Sequence, residues 1–134
     1  MANLLDVEGI GEKYAAKLKA AGIANTDALL KVGSTPKGRK ELAEKAGISD
    51  ALILEWINHV DLFRIKGVAE EYADLLEEAG VDTVPELAQR VAKNLFQKIV
   101  EVNETKKLVR KLPTEAMVAD WIDQAKKLPR VITY

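Results

Sequence analysis

Two glycines and two lysines near the start of the sequence have the types and spacing that could bind an anion. Gly9 and Gly11 flank Ile10, and in the amphipathic helical pattern that follows Lys13 and Lys17 lie one turn apart. Glycine adopts positive φ without steric cost, and the first N–H groups of a helix have no partner inside it. We therefore predict that this first glycine turn (residues 9–11) binds phosphate, with Ile10 pointing inward as an anchor.

A purely structural role is the alternative for the first glycine turn. Glu8 and Glu12 adjoin it, and their negative charges would oppose an anion there. In that case the glycines only allow two helices to pack together. The sequence leaves both interpretations open.

Positive charge is also concentrated in two later stretches of the chain. Basic residues gather at Lys37, Arg39, Lys40 and Lys45, and we call the first three, which are the candidate contacts, the first basic cluster. The second basic cluster consists of Lys106, Lys107, Arg110 and Lys111. Such clusters can follow a phosphate backbone, so we count them among the candidate nucleic-acid contacts. The alternative is a pair of solvated helix faces, which is the usual position of charged runs.

The sequence contains few of the residues and motifs from which a catalytic centre is built. It contains no cysteine, which excludes disulfides and thiolate sites, and it has no phosphate-binding loop, dinucleotide fingerprint or zinc-ligand spacing. His59 is the only histidine, and we expect it at the surface. We predict that the protein is not an enzyme and that it uses no metal, no cofactor and no small-molecule substrate.

The overall charge limits how the protein could bind nucleic acid. Its 20 basic and 21 acidic residues give a net charge of −1, unlike the strongly basic proteins that coat DNA. Contact with DNA or RNA would then come from a local patch and would be weak and salt-sensitive. No apolar run is long enough to cross a membrane and no leader pattern is present, so we expect a cytoplasmic protein without membrane contact.

An internal repeat organises the chain. Residues 7–29 match residues 65–87 at a shift of 58 positions. The identical pairs include Gly9 and Gly67, Tyr14 and Tyr72, Leu18 and Leu76, and Gly22 and Gly80. A further match, at a shift of 65, pairs Trp56 with Trp121. We interpret the protein as two copies of one helical unit and both tryptophans as core residues.

The repeat predicts where the two units lie along the chain. We expect a first unit at residues 1–64 and a second, degenerate unit at residues 65–134, packed as one compact body. The second unit ends in an apolar tail at residues 128–134. This tail would expose several large apolar side chains on its own, so we expect it to pack back onto the body.

The second copy of the turn, which we call the second glycine turn (residues 67–69), is surrounded by the opposite charge. Ala69 stands where the first copy has Gly11, and Glu71 stands where it has Lys13. Residues 67–89 include no basic residue and seven acidic ones: Glu70, Glu71, Asp74, Glu77, Glu78, Asp82 and Glu86. Because this surface would repel phosphates, we expect the second turn to be structural or to dock a basic protein.

Helical periodicity covers nearly the whole chain, and no strand pattern competes with it. Thr35 and Pro36 have the types that begin a helix, and Gly22, Gly47 and Gly80 have the type that ends one. The predicted helices cover, to within a residue or two, residues 12–21, 26–31, 36–46, 50–63, 69–79, 84–91, 94–103, 104–111 and 115–127. We predict an all-α protein with about four helices in each unit.

The first glycine turn resembles the hairpin of the helix-hairpin-helix family at Gly9, Ile10, Gly11, Ala15 and Leu18. Two such hairpins joined through helices resemble the tandem form of that fold, a SAM-like bundle. In the family, hairpin amides and a nearby basic side chain bind backbone phosphate without reading sequence. The resemblance therefore implies contact with DNA through the first turn.

The whole chain, including residues 35–43 and 107–113, is also similar to an uncharacterised bacterial family classed as a domain of unknown function. Members of that family are sometimes labelled flap-endonuclease-like because of the hairpin. The label implies contact with DNA but supplies no nuclease centre.

Two functions follow as expectations from these observations. The first is a non-catalytic module that binds DNA or RNA through backbone phosphates, using the first glycine turn and the two basic clusters. The alternative is a protein-interaction or scaffold module in which both turns are structural. Near-zero net charge and the acidic second turn favour the alternative, whereas Lys13 and Lys17 favour the first.

Overall fold

The computed structural model describes residues 3–134, which are all-helical and include no strand, as the sequence predicted. A short 3-10 turn at Leu4–Asp6 precedes eight helices within this range. They are α1 (Glu12–Ala20), α2 (Thr26–Gly33), α3 (Pro36–Ala46), α4 (Asp50–Leu62), α5 (Glu70–Glu78), α6 (Val84–Ala88), α7 (Ala92–Lys106) and α8 (Glu115–Lys127). Within residues 3–134 no helix combines the length and apolar character needed to cross a bilayer.

Helix ends follow the predicted local chemistry. The Thr35 side chain accepts a hydrogen bond from the Gly38 N–H at 3.0 Å and begins α3. After α1, Gly22 takes φ +92° and the Ile23 N–H donates to the Leu18 carbonyl at 2.9 Å. These bonds use side chains and carbonyls close in sequence, so the sequence pattern alone was enough to predict them.

The end of α7 differs from the prediction. We expected two helices over 94–103 and 104–111, but one helix continues to Lys106 and the chain then leaves helical geometry. Lys107 adopts φ +50°, and Asn103 bonds both backbone groups of Val109, accepting from its N–H at 3.0 Å and donating to its carbonyl at 3.2 Å. The asparagine side chain thus replaces the helical partners of Val109 and stops the helix.

The chain divides into two compact units. The first unit contains the described residues up to Asp61 together with Val131–Tyr134, and the second unit contains Leu62–Arg130. The sequence placed residues 131–134 in the second unit. They belong to the first because the Thr133 N–H donates to the Ser34 carbonyl at 2.7 Å and Ile132 is only 3% exposed. We call residues 131–134 the strap, and its packing onto the body confirms the expectation for the tail.

Each unit has its own apolar core built around one tryptophan. In the first unit the buried side chains include Leu18, Leu29, Ile53, Trp56 and Ile57. In the second unit they include Leu76, Leu87, Ile99, Val118 and Trp121. The predicted core role of both tryptophans is confirmed, since their exposed fractions are 1% and 2%.

Two glycines at the junction of α2 and α3 lie very close to neighbouring atoms. A Cβ atom at Gly38 would lie 1.9 Å from the Val32 carbonyl oxygen, and a Cβ atom at Gly33 would lie 2.3 Å from the Ile57 side chain. Neither position can hold a larger residue unless backbone or core moves. This junction sets the position of the first basic cluster, which lies on α3.

We expect Gly38→Ala to destabilise the protein although alanine normally favours a helix over glycine. The added methyl group would overlap a backbone carbonyl, which costs about 1–3 kcal/mol of unfolding free energy. Urea denaturation followed by circular dichroism measures this cost, with Lys37→Ala on the exposed face of α3 as the control. Equal stability of Gly38→Ala and the parent chain would contradict the close approach.

Candidate functional site

The first glycine turn is fixed by contact with the core. Gly9 takes φ +91°, and a Cβ atom there would lie 3.2 Å from Trp56 Nε1, so both backbone and space require glycine. Ile10 is 3% exposed, which confirms its role as an inward anchor, and its N–H donates to the Val7 carbonyl at 3.1 Å. The Ile10 amide therefore cannot also bind a phosphate.

Helix α1 begins at this turn without a side-chain cap. Gly11 is the N-cap residue in extended conformation, and no side chain accepts from the first amides of α1 among the described residues. A Cβ atom on Gly11 would meet nothing within 4 Å, so the end of the helix is open. The positive end of the helix dipole and the uncapped N–H groups make this the anion-accepting part of the turn.

The two lysines of α1 have different surroundings. Lys13 is exposed and forms no ion pair among the described residues. Lys17 is half-buried, and its Nζ lies 5.9 Å from the centre of the Tyr14 ring, which itself packs against Trp56 at 5.1 Å. Lys13 is therefore the more available cation, and Lys17 is partly engaged by an aromatic ring.

The first basic cluster is split by burial. Lys37 and Lys40 are exposed, and Lys37 lies 4.0 Å from Glu41 in a solvent-exposed ion pair. Arg39 is only 7% exposed and donates to the carbonyls of Gly33 and Thr133, each at 2.8 Å. Its guanidinium is hydrogen-bonded within the first unit. This corrects the prediction that Arg39 contacts phosphate.

A periodicity signal in the sequence could have placed Arg39 inside. It lies one turn before Leu42, which is buried, so the two residues share the inner face of α3. The charge of Arg39 made a surface position look more natural. What the sequence could not supply was its partner Thr133, which is 94 residues away.

The second basic cluster lies on the end of α7 and the irregular segment after it. Lys106 is paired with Glu78, whereas Lys107, Arg110 and Lys111 are exposed. The segment is held in place by its backbone, because the Tyr72 hydroxyl donates to the Lys111 carbonyl at 3.1 Å. Three of the four predicted contacts are therefore at the surface without an ion pair among residues 3–134.

The second glycine turn repeats the packing of the first. Gly67 takes φ +95°, and a Cβ atom there would lie 3.2 Å from Trp121 Nε1. Val68 is 4% exposed, and the Tyr72 ring lies 5.3 Å from the Trp121 ring. The N-cap of α5 is Ala69, again without a side-chain cap.

The electrostatics of the second turn are nevertheless opposite to those of the first. Glu70 and Glu71 are exposed in the first turn of α5. Further along, burial raises the pKa of Asp82, and the nearby carboxylates of Glu86 and Glu77 raise it further. At the start of α5 itself, an anion would meet the carboxylates of Glu70 and Glu71.

His59 is buried, not at the surface as expected. Its exposed fraction is 3%, and Asp61 is buried as well, with an exposed fraction of 1%. His59 lies three residues after Trp56 and three before Leu62, so it shares a face of α4 with two fully buried residues. The spacing to these apolar neighbours was the signal that the sequence interpretation missed.

One family model matches most of the chain. The all-helical chain belongs to the family described as Domain of unknown function (DUF4332), whose model matches residues 8–128. No curated protein and no solved structure matches the chain.

The two glycines of the first turn should respond differently to alanine. Gly9→Ala is expected to lower the unfolding free energy by about 1–3 kcal/mol, since alanine is strained at positive φ and would press on Trp56. Gly11→Ala should cost only about 0.5 kcal/mol, because its backbone is extended and the space is open. Urea denaturation of both variants tests the difference, and equal losses would contradict it.

Proposed function

We propose that this protein is a tandem helix-hairpin-helix module that binds DNA or RNA through backbone phosphates, without catalysis and without reading sequence. The observation that carries the proposal is the open start of α1. Uncapped amides at Gly11, a glycine that lets a backbone approach closely, and the exposed Lys13 come together there. The absence of cysteine is in keeping with a cytoplasmic setting.

The charges around the first glycine turn account for weak binding. Glu8 and Glu12 are exposed beside it and offset part of the attraction that Lys13 supplies. Further cations would have to contribute along a phosphate backbone. The exposed members of the two basic clusters are available for this: Lys37, Lys40, Lys107, Arg110 and Lys111.

The two glycine turns would then have different roles. Both pack on a tryptophan, so both support their unit in the same way. Only the first is followed by lysines, at positions 13 and 17, whereas the second is followed by Glu70 and Glu71. Under this proposal the first turn contacts phosphate and the second does not.

We expect Lys13→Glu to weaken binding to DNA by about tenfold and to reduce the salt slope of the affinity by roughly one. Lys19→Glu is the matched control, because it makes the same charge change on another exposed face of α1, away from the first glycine turn. Fluorescence anisotropy with labelled single- and double-stranded DNA at several salt concentrations measures both effects. Equal losses in the two variants, or no binding at low salt, would refute the proposal.

A protein-interaction module is the second candidate, and the second glycine turn favours it. The packing of Gly67 on Trp121 shows that the turn keeps its form among acidic neighbours. A basic protein would be the complementary partner. Salt-sensitive binding to polylysine that is lost in a Glu70→Lys, Glu71→Lys variant, together with no binding to DNA, would favour this candidate.

A further inference from the structure

The strap (residues 131–134) is held by its main chain on the first unit. The Thr133 N–H donates to the Ser34 carbonyl at 2.7 Å, and the Thr133 carbonyl accepts from Arg39 Nη2 at 2.8 Å. The Thr133 hydroxyl lies 3.2 Å from the same Ser34 oxygen. Main-chain bonds of this kind do not depend on which chain supplies the extended segment.

Two side chains of the strap add the specific contacts. Ile132 is 3% exposed and is therefore buried in the slot, by which we mean the place on the first unit, at Ser34, Arg39 and Asn58, that the strap occupies. The Tyr134 hydroxyl donates to Asn58 Oδ1 at 2.8 Å, and its ring lies 5.8 Å from the Arg39 guanidinium carbon. A buried aliphatic residue followed by backbone bonds and an aromatic ring is a pattern by which proteins bind extended peptides.

One contact that positions the slot does not involve the strap. Arg39 Nη1 donates to the Gly33 carbonyl at 2.8 Å, a bond in which the strap takes no part. Ser34 is the C-cap of α2, so its carbonyl has no partner within the helix and is open to an incoming N–H. The slot therefore presents a donor at Arg39 and an acceptor at Ser34, beside the buried position that Ile132 occupies.

We infer that this slot is a docking site for the strap of a second copy of the chain, so that two copies can exchange their straps. Within one chain the strap already fits the slot. A strap from a second copy would make the same contacts with Ser34, Arg39 and Asn58. Exchange of an identical segment is a low-cost route to a dimer, because its main cost is the freedom lost on association. The strap follows α8 through a short non-helical connection that contains Pro129.

A peptide tests whether the slot accepts a strap from outside. The full chain carrying Ile132→Asp cannot bury a charge at that position, so its own strap leaves the slot open. A labelled peptide of residues 128–134 should bind this variant, and the same peptide carrying Ile132→Asp should bind at least about tenfold more weakly. Absence of binding by the unmodified peptide would overturn the proposal.

A second variant guards against loss of folding. Thr133→Pro does not change residue 132, but it removes the N–H that donates to Ser34 and so weakens the hold of the chain's own strap. If Ile132→Asp lacks the helical circular dichroism of the parent chain, the peptide is measured on Thr133→Pro instead. Binding there supports the docking site, and failure of a well-folded Thr133→Pro chain to bind overturns it.

Light scattering tests whether the natural occupant is a second copy. The unmodified chain should shift from monomer to dimer with rising concentration, and Ile132→Asp should remain monomeric. Val91→Asp is the control, because Val91 is 60% exposed and lies outside the slot, so this variant should dimerise like the parent. A parent chain that stays monomeric, or an Ile132→Asp chain that still dimerises, would overturn the exchange of straps.

Discussion

The contact between a tryptophan and a glycine is the constraint on which each unit depends. In the first unit a Cβ atom on Gly9 would crowd Trp56 Nε1 at 3.2 Å, and the Tyr14 ring packs against the same indole. The turn, the start of α1 and the buried face of α4 are thereby held together. Because Gly67 and Trp121 make the same contact, the second unit is built on the same arrangement without needing the same surface charges.

The two turns share their packing but not their charge. Both turns place a glycine against a tryptophan and bury the next apolar residue, whereas the exposed residues that follow them differ in sign. Lys13 extends the positive end of α1, and Glu70 and Glu71 neutralise the corresponding end of α5. Any binding specificity must therefore come from exposed side chains, while the cores decide only where those side chains stand.

Features governed by neighbours in sequence were predictable, and features governed by distant contacts were not. The start of α3, the left-handed glycine after α1 and the buried Ile10 all follow from residues within one turn of one another. Arg39 was misplaced because its second acceptor is the carbonyl of Thr133, far along the chain. The segment after Lys106 was assigned to a helix because a competing bond from Asn103 to Val109 leaves no periodicity signal. At the candidate site the sequence located the turn and its lysines but could not separate the exposed Lys13 from Lys17, which lies against Tyr14.

The strap also has a consequence for how the protein is made. The first unit closes only when residues 131–134 reach it, and about 70 residues of the second unit are synthesised in between. At translation rates of about 5–20 residues per second, the incomplete first unit waits several seconds with its slot vacant. During that interval the Ser34 carbonyl lacks the Thr133 N–H, and the position that Ile132 will occupy is empty. The first unit is thus completed only after the second unit has been synthesised, although most of its residues leave the ribosome first.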